Sequence, residues 1–223
     1  AKSNGTHLDL CIKSIQERLY GANRISIVSI DDSITSERVL SLEIFPFSKK
    51  EVALELTKTG NENQLDNVYQ ELIKLYSPLL ENGQAQYVLL VEPDVIFLNT
   101  IGVLDNGSEY IDAGGNVART LLPHVSRLIP SINKNITTTS GCGNFLLVNR
   151  KIIRQLQKHI EHNHRLPMWK AYIRNLDNTD IAASIYDLYG SYVSSDQSYR
   201  VASRSFNWQL IFEPETIETF REM

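Results

Sequence analysis

Cysteine is scarce in this sequence, and so are the signals of a secreted or membrane-spanning chain. The 223 residues include 2 cysteines, Cys11 and Cys142, too few for a disulfide framework or a thiolate metal site. No apolar run approaches the about 20 residues that a membrane helix needs, and no signal peptide is recognisable. We therefore expect a reduced, cytoplasmic protein without a membrane span.

The chain also has fewer basic than acidic residues. The chain carries 22 Lys and Arg residues against 26 Asp and Glu residues, a formal net charge of −4, and no run of five like charges occurs. A nucleic-acid binder normally concentrates basic residues on one face, so nucleic acid is not an expected partner. The 42% of hydrophobic residues is typical of a globular chain, and this length allows a core without disulfides or structural metals.

Hydrophobic spacing predicts an alternation of helices and strands. Helices are expected over 7–20, 63–80 and 150–164, strands over 25–30, 40–45, 87–91, 144–148 and 207–212, and an interrupted helical stretch over 172–189. The run from Tyr87 to Val91 is apolar without alternation, which is typical of a strand covered on both faces. This order predicts an α/β fold with a mainly parallel sheet, in which residues 102–139 are loops with short elements.

Two acidic residues follow the apolar strand, in the segment Glu92-Pro93-Asp94. In an extended chain, residues i and i+2 point the same way, and Pro93 restricts the residue before it to extended backbone. Ligands of open α/β sheets bind beyond the carboxyl ends of the strands. Two carboxylates there predict an oxygen site for Mg²⁺ or Mn²⁺ that also faces a diphosphate. The alternative is an acidic strand end that simply meets water.

A second acidic pair, Asp31 and Asp32, ends the predicted strand 25–30. A carboxylate at such a strand end accepts hydrogen bonds from a ribose hydroxyl or a base N–H. The alternatives are a solvated loop or the N-cap of a helix that begins near Thr35.

The order of these motifs resembles the GT-A glycosyltransferases, which move a sugar from a nucleotide diphosphate to a hydroxyl acceptor. The similar stretches are Cys11–Ile15, Ile25–Ser33, Gln70–Tyr76, Tyr87–Leu98, Gly141–Asn149 and Ser184–Gly190. The resemblance runs from Leu8 to Phe212 and depends on order and spacing, because no single motif is specific. The chain departs from the family in two ways: Glu92 stands where the family has Asp, and no apolar strand precedes Leu8.

The resemblance implies a single GT-A domain over 1–223, a three-layer sandwich whose mainly parallel central sheet is flanked by helices. Residues 1–100 would form the nucleotide-binding half and 101–223 the acceptor-side half, with the first strand missing or upstream. The implied donor is a nucleotide-diphosphate sugar, with a UDP-sugar favoured, and the implied acceptor is a glycan or another hydroxyl compound. The expected cofactor is Mn²⁺ or Mg²⁺.

The resemblance also assigns roles to the acidic residues on the donor side. Asp31, Asp32 and Asn4 would contact the donor, while Glu92 and Asp94 would hold the divalent ion against the diphosphate. A cation in that place stabilises the negative charge that develops as the nucleotide departs.

An inverting transferase also needs a carboxylate base near the acceptor hydroxyl. Asp187 and Asp180 are the candidates. The alternatives are a helix cap for Asp180 and a position on the polar face of its helix for Asp187.

Other functions compete with this interpretation. One is a non-catalytic nucleotide- or glycan-binding module of the same fold. This alternative is based on Glu92, which stands where the family has Asp. Another is a nucleotidyltransferase, although no Gly-rich phosphate loop is visible near the start. A receiver-like switch domain is a third alternative. It would need a Lys closer to the acidic pair, and its chain would be shorter than this one. The histidines are expected at the surface or at helix ends rather than in a metal site: His124, His159, His162 and His164.

Overall fold

The computed structural model describes residues 5–22, 24–29, 38–80, 85–105, 108–112, 122–132, 145–178, 182–195, 199 and 201–204. Helices dominate these residues. In chain order, the α-helices are α1 (Gly5–Arg18), α2 (Lys49–Thr59), α3 (Leu65–Tyr76), α4 (Leu122–Leu128), α5 (Arg150–His164), α6 (Met168–Arg174) and α7 (Ile185–Ser195). Short 3₁₀ helices span Leu42–Ile44, Glu62–Gln64 and Ser77–Leu79.

The strands of the described residues form small sheets. They are β1 (Ile27–Val28), β2 (Val39–Leu40), β3 (Tyr87–Val91), β4 (Leu104–Asp105), β5 (Ser108–Asp112), β6 (Phe145–Asn149) and β7 (Val201–Arg204). Strand β1 pairs with β2 in parallel, β3 with β6 antiparallel, and β5 with β4 antiparallel and with β7 in parallel. The architecture is thus a mixture of helices and strands, compatible with the predicted α/β class.

The direction of the central pairing differs from the expectation of a mainly parallel sheet. Strands β3 and β6 run antiparallel, with Tyr87 opposite Asn149 and Val91 opposite Phe145. The sequence did predict both strands, since each is an apolar run. An apolar run reports burial, however, and burial does not fix the direction of the neighbouring strand.

The helix predictions succeed where the apolar period is strong. The bounds of α5 are those predicted. In place of one helix over 63–80, α3 and its two flanking 3₁₀ helices together span 62–79. The strand predicted over 40–45 is wrong beyond Leu40, where β2 ends. The backbone then forms the 3₁₀ helix Leu42–Ile44, whose N-cap Ser41 accepts a hydrogen bond from the Glu43 N–H through its hydroxyl. A side chain that bonds the nearby backbone competes with strand pairing in this way.

Helix α2 was not predicted, although its ends carry clear signals. Ser48 and Glu51 form a capping box at its beginning, and Gly60, at φ 71°, ends it in the left-handed region. Such residues are typical of helix ends. The capping residues were therefore a better signal here than the apolar period.

Strand β3 lies between two apolar clusters. Leu90 packs against the main core, whose fully buried members include Leu72, Leu156 and Tyr189. Leu89 and Val91 pack against a smaller cluster of Cys11, Ile15, Leu19 and Phe97, which joins α1 to the segment after β3. Because alternate residues point to opposite faces, β3 makes apolar contacts on both faces as predicted, while its five residues are each half-buried rather than buried.

Across the described part of the chain, the structure contains no helix with both the length and the apolar character that a membrane crossing needs.

Candidate functional site at the end of strand β3

The chain turns immediately after β3. The Val95 N–H donates a hydrogen bond of 3.1 Å to the Glu92 carbonyl, so Pro93 and Asp94 are the central residues of a β-turn. Proline suits the first central position because its φ is already fixed there. The extended backbone expected through Asp94 is therefore not formed, and strand alternation does not place the two carboxylates. Asp94 is exposed, whereas Glu92 is half-buried.

The Glu92 carboxylate is held by two helices. Its Oε1 lies 2.6 Å from Nζ of Lys74 on α3. The same oxygen accepts a hydrogen bond of 3.2 Å from the hydroxyl of Tyr186 on α7. The end of β3, the end of α3 and the beginning of α7 therefore meet at one oxygen atom.

Lys74 and Glu71 connect Glu92 to the first residue of α7. The Lys74 ammonium lies 3.1 Å from Glu71 Oε1, one helical turn away on α3, and Glu71 Oε2 accepts a 3.0 Å hydrogen bond from the Ile185 N–H. The first N–H groups of a helix lack partners within it, and negative charge is favourable there. Glu92, Lys74, Glu71, Ile185 and Tyr186 thus close a ring of contacts, which we call the Glu92 ring.

The charge states within this ring follow from burial and neighbours. Burial opposes the charge of Lys74, but the nearby Glu71 and Glu92 carboxylates more than offset it and raise the pKa of the ammonium. Burial is the main cause that raises the pKa of the Tyr186 hydroxyl well above its ordinary value, and the negative charge of Glu92 raises it further. At neutral pH the ring therefore has a charged ammonium and a protonated hydroxyl, both donating to Glu92.

Asp187, the candidate base, lies in the first turn of α7 beside Tyr186. The Ser184 hydroxyl donates to its carboxylate, and the Asp187 N–H donates to the Ser184 oxygen at 3.2 Å. Burial raises the pKa of Asp187, while its hydrogen bonds with Ser184 act in the opposite direction. Asp187 is 8% exposed. These contacts are those of a helix cap, so its role as a base stays a prediction.

Several predicted site residues lie outside the described residues: Asn4, Asp31, Asp32 and Asp180. The predicted strand over 207–212 also lies outside them. Their roles stay predictions.

The expectation of a surface or helix-end role for His124 is wrong. The ring is fully buried, with Nε2 at 2.8 Å from the Tyr172 carbonyl and Nδ1 accepting a 3.0 Å hydrogen bond from the Ala183 N–H. Since Nδ1 accepts, the proton of the neutral ring is on Nε2. Sequence spacing does not reveal such a role, because both partners come from segments about 50 residues away.

A divalent ion at this site would meet a competing cation. Glu92 and Asp94 supply the hard oxygen atoms that Mg²⁺ and Mn²⁺ prefer, and Asp94 is open to solvent. Oε1 of Glu92, however, is already bound by the Lys74 ammonium. Among the described residues, no group of three or more His, Cys, Asp and Glu side chains is arranged to hold a metal ion. An ion at Glu92 would therefore bind the second carboxylate oxygen beside the Lys74 ammonium or displace Lys74 from Oε1. In the second case Lys74 would keep Glu71 as its partner.

Three members of the ring were not predicted from the sequence: Glu71, Lys74 and Tyr186. Their segments, Gln70–Tyr76 and Ser184–Gly190, resemble the family, but that resemblance assigns no role to these side chains. A signal was present in α3, where a Glu and a Lys one turn apart interrupt an otherwise largely buried helix face. Buried charges are normally paired, so such residues indicate partners elsewhere in the fold.

Comparisons with known proteins gave no match: no family model, no curated protein and no solved structure is significantly similar to this chain.

Proposed function

We propose that this protein is a glycosyltransferase of the GT-A class, which transfers a sugar from a nucleotide-diphosphate donor to a glycan or another hydroxyl acceptor. In this proposal the donor diphosphate binds at the turn Glu92–Val95, and the complete fold is the GT-A sandwich. One observation carries the proposal: an acidic turn at the carboxyl end of a strand that lies between two apolar clusters, with α7 packed beside it through Tyr186 and Glu92.

The turn is held from both sides. The Glu92 ring fixes it against α3 and α7. On the other side, the Ser14 hydroxyl accepts a 3.0 Å hydrogen bond from the Phe97 N–H, and Cys11 Sγ lies 3.7 Å from the Glu92 carbonyl. A site that is held by packed helices keeps its groups in a fixed geometry, which binding and catalysis both require.

The side chains at this site would have different roles. Asp94 is exposed and is the carboxylate that an incoming ligand meets first. Lys74 and Tyr186 orient Glu92 beside it. A divalent ion bound by Glu92 and Asp94 would supply the positive charge that stabilises the departing nucleotide. Lys74 would then keep its contact with Glu71 and remain charged beside the diphosphate.

A second candidate function is a nucleotide- or glycan-binding module without catalysis. Two observations favour it. The Lys74 ammonium already neutralises Glu92 at 2.6 Å, and the buried Asp187 is hydrogen-bonded to Ser184, which caps α7.

Thermal unfolding and donor hydrolysis, each with and without Mn²⁺, test the proposal against a panel of nucleotide sugars. For a transferase we expect one donor to raise the Tm in a Mn²⁺-dependent way and to release its sugar slowly to water. Asp94→Ala should abolish both effects. The matched control is Asp9→Ala, which removes an exposed carboxylate from α1 and should change neither.

The outcomes separate the two candidates. Stabilisation without turnover would support the binding module. If no nucleotide sugar changes the Tm or is hydrolysed, or if Asp94→Ala behaves like Asp9→Ala, the proposed donor site is wrong.

A further inference from the structure

Helix α5 begins with positive charge. Its first two residues are Arg150 and Lys151, and its first turn contains no acidic residue. Arg154 and Lys158 follow at intervals of four residues, so Arg150, Arg154 and Lys158 share one face of the helix. Helix α2, by contrast, has Glu51 in its first turn, within a capping box.

This arrangement is electrostatically unfavourable within the chain. The beginning of a helix carries partial positive charge, which repels Arg150 and Lys151. Like charges four residues apart on a helix repel as well, by about 0.2–0.5 kcal/mol per pair. The positions three and four residues from Arg154 hold Arg150, Lys151, Gln157 and Lys158, and none of them is acidic.

The nearest acid at helical spacing is engaged elsewhere. Glu161, three residues after Lys158, accepts hydrogen bonds of 3.1 Å from Gln157 Nε2 and from the Met168 N–H. Within the described ranges, Lys151, Arg154 and Lys158 form no ion pair. Among the described residues, Lys151, Arg154 and Lys158 therefore have no acidic partner.

The basic row borders an open surface groove of about 530 Å³. Ala85, Gln86 and Gln155 complete the lining among the described residues, and none of these is acidic. Arg150 lies at one end of this groove and is held in place. Its guanidinium donates to the carbonyls of Pro78 and Leu80, and its backbone N–H donates to the Gln86 carbonyl at 2.9 Å. We call this cavity the α5 groove.

The α5 groove is separate from the candidate site. Gln86 comes immediately before β3 and Glu92 immediately after it, so the two sites lie at opposite ends of a strand of 5 residues, which spans about 17 Å. A ligand of the α5 groove is therefore not the diphosphate at the Glu92 ring, and the two proposals can fail independently.

We propose that the α5 groove binds a phosphate-bearing anion with at least two negative charges, held by Lys151, Arg154 and Lys158. Guanidinium groups bind phosphate oxygens in a two-pronged geometry, and ammonium groups add point charges around them. Lys151, Arg154 and Lys158 extend over about two turns of α5, which favours a ligand with more than one charge, such as pyrophosphate or a phosphate ester. Such a group is present in soluble metabolites and in lipid headgroups.

Inorganic pyrophosphate is the probe for the groove, titrated into the full chain at low ionic strength and followed by calorimetry. Two double variants are compared with the wild type. Arg154→Gln with Lys158→Gln removes two cations from the groove. Arg18→Gln with Lys50→Gln removes one Arg and one Lys that are exposed on α1 and α2, so the net charge changes equally. We expect the Kd for pyrophosphate to rise at least tenfold in the first variant and less than twofold in the second.

A second arm distinguishes the sources of the phosphate. Phosphatidylcholine vesicles with and without phosphatidic acid are sedimented with each variant. Binding to the acidic vesicles that pyrophosphate competes away supports a lipid headgroup, and pyrophosphate binding without vesicle binding supports a soluble ligand. The proposal is overturned if the wild type binds neither probe, or if both double variants lose affinity to the same extent.

Discussion

The hydroxyl of Tyr186 donates a hydrogen bond of 3.2 Å to the carboxylate of Glu92, a residue 94 positions earlier in the chain. The contact ties the first turn of α7 to the end of β3. Lys74 approaches the same carboxylate oxygen from α3. The position of the acidic turn relative to both helices therefore depends on two polar groups that keep their protons at neutral pH.

The first prediction concerns the Tyr186 hydroxyl. Tyr186→Phe removes one donor to a half-buried carboxylate and should lower the free energy of unfolding by about 1–2 kcal/mol. Urea unfolding measures this difference. Tyr192→Phe, a half-buried tyrosine on the same helix, serves as the control and should cost less. Equal losses in the two variants would mean that the contact with Glu92 contributes nothing particular.

The second prediction concerns Lys74 as the charge partner of two carboxylates. Lys74→Met leaves Glu71 and Glu92 without their shared cation and should destabilise the protein by about 3 kcal/mol, because unpaired buried charges are costly. Lys74→Met combined with Glu71→Gln should recover part of this loss, since one of the two acids is then neutral. A double variant that is no more stable than Lys74→Met would contradict the shared role of the ammonium.

The pH dependence of Lys74 gives a further check on that pair. The pKa of Lys74 in the folded protein is above its ordinary value of 10.5, so its stabilising contribution is complete below that value. The contribution is lost as pH rises through the folded pKa. The stability difference between wild type and Lys74→Met should therefore be constant near neutral pH and shrink in alkaline solution. A difference that stays constant to high pH would argue against the ion pair.

The third prediction concerns the buried His124. Burial lowers the pKa of its imidazole to about 4, so the folded protein disfavours the charged ring. The stabilising effect of the neutral ring is complete above its ordinary pKa of 6.5 and falls by about 3 kcal/mol as pH drops to 4, where the folded form also takes up the proton.

His124→Gln tests that assignment, because glutamine keeps one donor and one acceptor but does not titrate in this range. Its free energy of unfolding should vary less than that of wild type between pH 6.5 and 4. His159→Gln is the control at a histidine that is only half-buried, and it should keep the wild-type slope. If both variants keep that slope, His124 is not the titrating group.

The fourth prediction separates the two roles of Asp187. Ser184→Ala removes the cap of α7 and should cost about 1 kcal/mol, measured by chemical unfolding. Asp187→Asn keeps an oxygen that can accept from Ser184 but cannot act as a base. An unchanged rate of donor hydrolysis in Asp187→Asn would establish the cap as its only role. A loss of about 100-fold or more at unchanged stability would instead support the predicted base.

The acidic turn shows which features local sequence patterns predict and which they do not. The sequence predicted strand β3 with its bounds, because five consecutive apolar residues followed by Glu-Pro-Asp leave few alternatives. It also indicated that the strand is covered on both faces. The same pattern led to a wrong conformation at Asp94, since Pro93 is compatible both with extended chain and with a β-turn. Only the hydrogen bond from Val95 to Glu92 distinguishes them.

The sequence by itself determined the helices α3 and α5, the strands β3 and β6 and the acidic end of β3. The spacing of apolar residues, continuous apolar runs and the residues that end helices and strands all act over a few neighbouring positions. The tertiary structure alone decided the antiparallel pairing of β3 with β6, the burial of His124 and the ring around Glu92. Each of these joins groups that lie tens of residues apart. A partner at such a distance is chosen by the packing of the whole core, and no window of sequence contains it.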